Sequence, residues 1–279
     1  SSELEEHRAV REAVGVFDLS HMGEVRVTGP QAAEYLNHAF ISNIAGVKVG
    51  KAKYSMICTE SGGIIDPDVL WSCTTCGACV EQCPVDIEHV DHIVDMRRYQ
   101  NLIESAFPSE LGGLFKKLES KGNPWGMGAK ARMDWAKDLP FTVKVLGEDV
   151  ESADEVDYLF WVGCAGAYED RAKEATKATA LLLHLGGVKF CVLGNQEACT
   201  GDSARRAGNE FLFQEMANRN MELLDSVFGD SPNRKIIATC AHCFNTLSNE
   251  YSRPYTVIHH SVVLNQLVSS TTLMQPMTS

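Results

Sequence analysis

No basic stripe runs anywhere in this 279-residue chain, whose formal charge is −12. Attraction to nucleic acid or to an anionic lipid surface is therefore not expected. Long apolar runs are missing too. The longest, Ala180 to Leu185, is broken by His184 and falls far short of a membrane span. No secretory signal opens the chain, so a cytoplasmic setting is expected, at most against the inner face of a membrane. The first residue is Ser1 rather than Met, which leaves room for sequence upstream. Apolar material is not scarce, since 44% hydrophobic residues allow a sizeable core and exclude disorder throughout. The length suits about two domains.

Cysteine is plentiful, with ten in the chain. Disulfide frameworks belong to small secreted domains, and nothing else here looks secreted, so the clustered cysteines point to a metal or cluster role. Cys58 and Cys191 stand in apolar stretches and read as small buried hydrophobes.

The chain divides into blocks of different character. Residues 1–68 open with a charged stretch, Glu3 to Val14, that reads as a helix ended by Gly15. Gly23 to Thr28 alternates as a strand, a helix follows at Gln31 to Phe40, and two strands, Lys53–Cys58 and Gly63–Ile65, join at Ser61-Gly62. This is a partial α+β fragment. Residues 69–147 change character: a cysteine run precedes a helix from Asp86 to Tyr99, with further short helices at Glu110–Ser120 and Arg132–Lys137. Glu148 to Asp157 carries six acids in ten positions and reads as a solvated linker. Residues 148–268 then repeat strand and helix, and a polar tail occupies 269–279. The strands are Tyr158–Val162, Val188–Leu193, Lys235–Thr239 and Tyr255–Ile258, with helices at Glu169–Leu185, Ala204–Phe228 and Ala241–Glu250 between them. Such alternation predicts an α/β fold with a Rossmann-like parallel sheet covered on both faces.

Cys73-Thr-Thr-Cys76-Gly-Ala-Cys79-Val-Glu-Gln-Cys83-Pro84 fits C-x2-C-x2-C-x3-C-P without deviation. Thiolates at this spacing can hold three corners of a [4Fe–4S] cluster, and in two-cluster ferredoxins the fourth cysteine serves the other cluster. Zinc is the alternative, but zinc pairs are normally spread as CxxC…CxxC. There is one such run here, so the partner that would use Cys83 is missing. A second constellation emerges when strands and cysteines are taken together. Cys164 follows the first strand of the α/β block, Cys199 lies after the second, and Cys240 with Cys243 follows the third. Ligands bind at the carboxyl ends of parallel strands, so four thiols on three loops of one edge can converge. The alternative is separate buried cysteines plus one redox CxxC. His259-His260 ends the fourth strand and reads as capping or core rather than ligation. Gly126-Met-Gly128 lacks the strand of a dinucleotide loop, and the Asp66/Asp68 pair reads as solvated.

From about Asp66 to Val268 the chain resembles the heterodisulfide-reductase-like iron–sulfur oxidoreductases. The resemblance rests on Asp66 through His89, which contains the cysteine run, on Trp161-Val-Gly-Cys164, on Glu197-Ala-Cys-Thr-Gly-Asp202, and on Cys240-Ala-His-Cys243. The last three resemble one copy of the cysteine-rich "CCG" domain, with Ala198 where a paired cysteine often stands. The resemblance implies a helical 4Fe-4S ferredoxin-like segment and a cluster in the cysteine-rich domain, with electrons passing between them. It also implies a redox partner protein or flavoprotein subunit, and relatives of this kind are often membrane-associated through segments absent from this chain. Residues 1–66 resemble an unrelated family, the aminomethyltransferase (T-protein) of the glycine cleavage system. Val14-Gly-Val-Phe-Asp-Leu-Ser-His-Met-Gly-Glu24, Gly50-Lys-Ala-Lys-Tyr54 and Gly62-Gly-Ile-Ile-Asp66 carry it. That family binds tetrahydrofolate and uses a Gly-Gly-Ile-Ile-Asp-Asp stretch. Pro67 replaces the second aspartate here, so no folate binding is expected. The expectation is an incomplete iron–sulfur electron-transfer oxidoreductase fused behind a folate-enzyme fragment, with Cys73, Cys76, Cys79, Cys83, Cys164, Cys199, Cys240 and Cys243 as candidate metal ligands. The alternatives are an aminomethyltransferase fragment or an inactive fusion.

Overall fold

The computed structural model describes residues 30–32, 67–84 and 87–269. The elements expected before Asp66, together with Cys58 and Asp66 itself, lie outside the described residues, as does the tail from 270. The chain forms two compact units, Ser1–Ile93 and Val94–Ser279.

Within the first unit, α1 (Pro67–Ser72) leads into the cysteine run, whose second half is the single turn α2 (Ala78–Glu81). The helix expected from Asp86 is α3 (His89–Leu102), and the unit boundary falls inside it. In the second unit α4 (Ser109–Lys121) ends on Gly122 in the left-handed region, and a 3₁₀ segment, Ala129–Ala136, follows.

The sheet is built from β1 (Tyr158–Trp161), β2 (Phe190–Cys191), β3 (Lys235–Ala238) and β4 (Thr256–His259), in the order β2-β1-β3-β4 with every pair parallel. Leu159, Phe160 and Trp161 are buried on both faces, as a central strand covered by helices requires. Expected parallel α/β architecture is therefore what forms. The second strand is shorter than its apolar run suggests. Only Phe190 and Cys191 pair with β1, because Val192 instead bridges Val145 from the chain preceding the sheet.

Helices cover the sheet in pieces smaller than the sequence pattern implies. α5 (Gly163–Tyr168) precedes α6 (Asp170–Leu185), whose start is capped by the Glu169 carboxylate accepting from the Ala172 N–H. The helix expected over 204–228 is split into α7 (Asp202–Arg206) and α8 (Glu210–Phe228). Gly208 makes the break. Its φ is 78°, and a Cβ there would lie 2.4 Å from the carbonyl carbon of Arg97. Arg97 and Asn101 of α3 complete this junction by donating to the Arg206 and Ala207 carbonyls. Gly208→Ala is expected to destabilise the protein by about 3 kcal/mol or more, since left-handed strain and backbone overlap add. Urea unfolding checks this, and a midpoint within error of wild type would contradict it. Beyond β3, α9 (Ala241–Asn245) runs into a π turn, Thr246–Glu250, and α10 (His260–Ser269) follows β4.

The acidic stretch 148–157 is not a solvated linker. Its acids are mostly exposed, but Val150, Ala153 and Val156 between them are buried in the core. A 3₁₀ turn, Ala153–Glu155, is closed by a Ser152–Glu155 capping box, and Asn233 donates to the Val156 carbonyl. Charge density hid an apolar face with three anchors.

Candidate functional site

Three loops at the carboxyl edge of the sheet bring four thiols together. Cys164 sits in the first turn of α5, directly after β1; Cys199 follows β2 and a 3₁₀ turn; Cys240 caps α9 after β3, with Cys243 one turn on. Gly163 explains how closely the first and third loops meet. At φ 75°, a Cβ on it would lie 3.2 Å from Cys243 Sγ and 3.8 Å from Cys240 Cβ. Thr200 Oγ1 donates to Cys243 Sγ across 3.9 Å, which joins the second loop to the third. Gly122, at the end of α4, joins the remaining pair: its carbonyl accepts the Cys199 N–H at 2.8 Å and the Cys164 thiol at 3.9 Å.

Cys164, Cys199 and Cys243 are buried, Cys240 is half-buried, and none of the four is in a disulfide. They interact as two pairs. A hydrogen bond from Cys164 draws the Cys199 thiol down and, with burial, pushes Cys164 well up. The same exchange with Cys243 lowers Cys240 to about 6, helped by the backbone N–H groups of Cys243 and His242. Cys243 is pushed up by its bond to Cys240, then by burial, and the charges of Cys199 and Cys164 act on it from the other pair. Each pair thus holds one thiol drawn down and one pushed up.

Cys191 belongs elsewhere. It lies fully buried within β2, and burial pushes its thiol up to about 12. Iodoacetamide is therefore expected to leave Cys191 unmodified in the folded protein at pH 8 and to label it in urea, as read by peptide mass mapping. Labelling at equal rates in both states would contradict its burial.

Two buried polar devices around the thiols were not foreseen. Arg132, on the 3₁₀ segment, donates from Nη2 to Glu197 Oε1 at 3.0 Å, with side chains only 3% and 1% exposed. Its Nη1 and Nη2 also point at Cys164 Sγ, at 3.8 and 3.6 Å. Glu197 in turn accepts from the Val162 and Gly163 N–H groups at 3.0 and 2.8 Å, which pins the turn leaving β1. On the other side, Asn220 Nδ2 donates to the Cys199 carbonyl and to the Tyr251 oxygen, while Tyr251 O–H donates to the Thr200 carbonyl. Glu197 stands two residues before Cys199 in the Glu197–Asp202 motif, whereas Arg132 gives no local signal.

The ferredoxin-like run lies in the other unit. Thr75 and Gly77 have positive φ, so the backbone curls between cysteines. The Thr75 N–H donates to Cys73 Sγ and the Ile87 N–H to Cys83 Sγ, each at 3.3 Å. Cys76 and Cys79 are exposed, and the Ala78 N–H pulls the Cys76 thiol down.

The weaker candidates have local partners of their own. His259 Nδ1 pairs with Ser261 Oγ at 2.7 Å, and burial lowers the pKa of His260. Gly126 lies in a loop that Asn123 closes through bonds to Met127. His242, inside the Cys240–Cys243 motif, reaches Asp202 at 2.9 Å.

Among the described residues, no three His, Cys, Asp or Glu side chains stand as ligands of a single metal ion. An iron–sulfur cluster makes a different demand. Each cysteine binds its own iron, so the sulfurs surround a volume instead of meeting at one point. Four soft donors from three loops, mostly buried and with a guanidinium beside Cys164, suit such an anionic thiolate cluster.

Comparison with known proteins agrees with both resemblances. Residues 158–248 match the cysteine-rich domain model, CCG, and residues 1–76 match the GCVT N-terminal domain. The chain is 40% identical over 213 residues to "Probable iron-sulfur-binding oxidoreductase FadF" of Bacillus subtilis, covering 75% of this chain and 30% of that protein. It is 38% identical over 211 residues to the "EtfAB:quinone oxidoreductase" of Syntrophomonas wolfei, covering 74% and 29%. Over 66 residues it is 85% identical to the aminomethyltransferase of Corynebacterium jeikeium, covering 24% and 17%. The chain thus spans less than a third of each of these relatives' lengths. No solved structure matches it.

Proposed function

We propose that this chain is the electron-transfer portion of an iron–sulfur oxidoreductase. Cys164, Cys199, Cys240 and Cys243 would hold one cluster. Cys73, Cys76 and Cys79 would hold a ferredoxin-type [4Fe–4S] cluster, completed by Cys83 or an exogenous thiol. The observation that carries this is the meeting of four thiols from three loops at the carboxyl edge of a parallel sheet. Bound clusters supply one-electron transfer. The chain's own residues supply soft donors, a buried positive charge beside Cys164, and two rigid clamps on the Cys164 and Cys199 loops. The ferredoxin-like segment over 69–147 and the cysteine-rich domain over 148–268 would each carry one centre. A flavoprotein is the partner class this reading favours, supported by the relative whose name pairs it with EtfAB. Among the described residues no helix is long and apolar enough to cross a membrane, and we place the protein in the cytoplasm or at the inner membrane face.

Anaerobic reconstitution followed by iron and acid-labile sulfide analysis tests the proposal. Wild type should take up both, and Cys76→Ser should lose one share while keeping the cysteine-rich domain's. Zinc in place of iron, or unchanged absorption in Cys76→Ser, would contradict it.

A second reading has its own support, because the match at residues 1–76 is close. We propose that it marks a fragment without aminomethyl transfer. Pro67 removes the carboxylate of the pattern and restrains the backbone there. Turnover of a lipoyl-bound aminomethyl donor to tetrahydrofolate should not exceed the no-enzyme control, and Pro67→Asp should not restore it.

A further inference from the structure

We infer that Arg132 is the built-in counter-charge of the four-cysteine site, a positioning residue oriented by Glu197 toward Cys164. This rests on the reading of that site as a cluster centre.

The geometry is more specific than a stabilising ion pair. A pair this deeply buried loses most of its hydration, and well-packed apolar side chains usually serve stability as well or better. Here the two charges are not simply neutralised against each other. Glu197 distributes its charge over the Val162 and Gly163 N–H groups as well as the guanidinium. The guanidinium edge is thereby left free to face sulfur, with both Nη atoms within 3.8 Å of Cys164 Sγ. Its Nε has no hydrogen-bond partner. The Tyr168 ring stands 5.5 Å from the guanidinium carbon, so the cation is held on another side by an aromatic face. A planar fork meeting carboxylate on one edge and sulfur on the other is a task for arginine and not for lysine's point charge.

Position in the chain strengthens the argument. Arg132 lies before the matched cysteine-rich domain, which begins at 158. Three loops of that domain bring sulfur and a carboxylate, but the cation at Cys164 comes from a 3₁₀ segment upstream. The domain's own residues would leave a thiolate cluster next to Glu197 with no opposing charge at that corner. A cation there favours the more negative, reduced state of a bound cluster and resists loss of thiolate ligands to protonation.

The test uses the full chain carrying Cys76→Ser, so that iron is read from the four-cysteine site alone. The comparison is Glu197→Gln, whose amide oxygen can still accept from Arg132, against Arg132→Met/Glu197→Gln; the two differ by one buried positive charge. Circular dichroism should show both variants folded, as wild type is. The double variant should release iron to a chelator at least tenfold faster than Glu197→Gln. Its cluster midpoint should fall by 59 mV or more, which is a tenfold change for one electron. Arg132→Lys/Glu197→Gln, which restores charge without the fork, should recover at least half of the midpoint shift. If the Cys76→Ser parent loads iron but the two variants agree within twofold in both readings, Arg132 is structural and the inference fails alone. If the parent takes up no iron, the cluster assignment fails and the inference goes with it.

Discussion

Glu197→Ala is expected to lower the unfolding free energy by about 3–5 kcal/mol, because it leaves the Arg132 charge buried without its partner. Three hydrogen bonds are lost at once: the one from the guanidinium and the two that fasten Val162 and Gly163. The two backbone N–H groups then have no acceptor in a dry turn, a further cost of about 1–3 kcal/mol each if water does not enter. Native stabilities of roughly 5–15 kcal/mol cannot absorb such losses easily. Urea unfolding at 25 °C should show either a large drop in midpoint or no cooperative transition. Arg132→Met/Glu197→Gln should fold more stably than Glu197→Ala, since it removes both charges and keeps their volume. A Glu197→Ala midpoint equal to wild type would mean that the pair does not hold the turn leaving β1.

The other large effect concerns the thiols. Cys199→Ser with Cys243→Ser, made in the Cys76→Ser chain, should abolish more than about 90% of the iron and sulfide that remain, because thiolate metal sites depend on deprotonated soft donors. Serine is nearly isosteric, and Asn220 and Tyr251 hold the Cys199 loop by its backbone, so far-ultraviolet circular dichroism of the metal-free protein should not change. Cys191→Ala in the same Cys76→Ser chain, which removes a thiol outside the grouping, should keep its iron. Equal iron in both variants would separate the four-cysteine grouping from metal binding altogether.

How much of this was legible in the sequence follows from the range of each interaction. β1 and β3 announce themselves as short apolar runs because parallel strands are buried on both faces. The four site cysteines were readable for a related reason: each follows a strand, and the carboxyl edge is common to all parallel strands. Where the sequence pattern misled, long-range packing decided the outcome. The apolar run at Val188–Leu193 looks like one strand, but its last part pairs with Val145. The acids of 148–157 dominate its composition while Val150, Ala153 and Val156 decide where it goes. Gly208 looks tolerable inside a helix until Arg97 is found against it. Arg132 and Glu197 are 65 residues apart, with no periodicity linking them, and only the folded chain could show that they meet.

The strand order also fixes when the thiols can meet. β1 lies between β2 and β3, and β3 is synthesised only after α6, β2, α7 and α8. Cys240 and Cys243 are neighbours by local helix geometry, but Cys164 joins them only when β3 docks on β1, a closure across most of the domain. Long-range parallel pairing of this kind forms slowly, after its loop entropy has been met. During synthesis Cys164 and Cys199 emerge before Cys240 and Cys243. If that edge holds the proposed cluster, its insertion follows folding, and a chain halted before Lys235 lacks two of the four thiols.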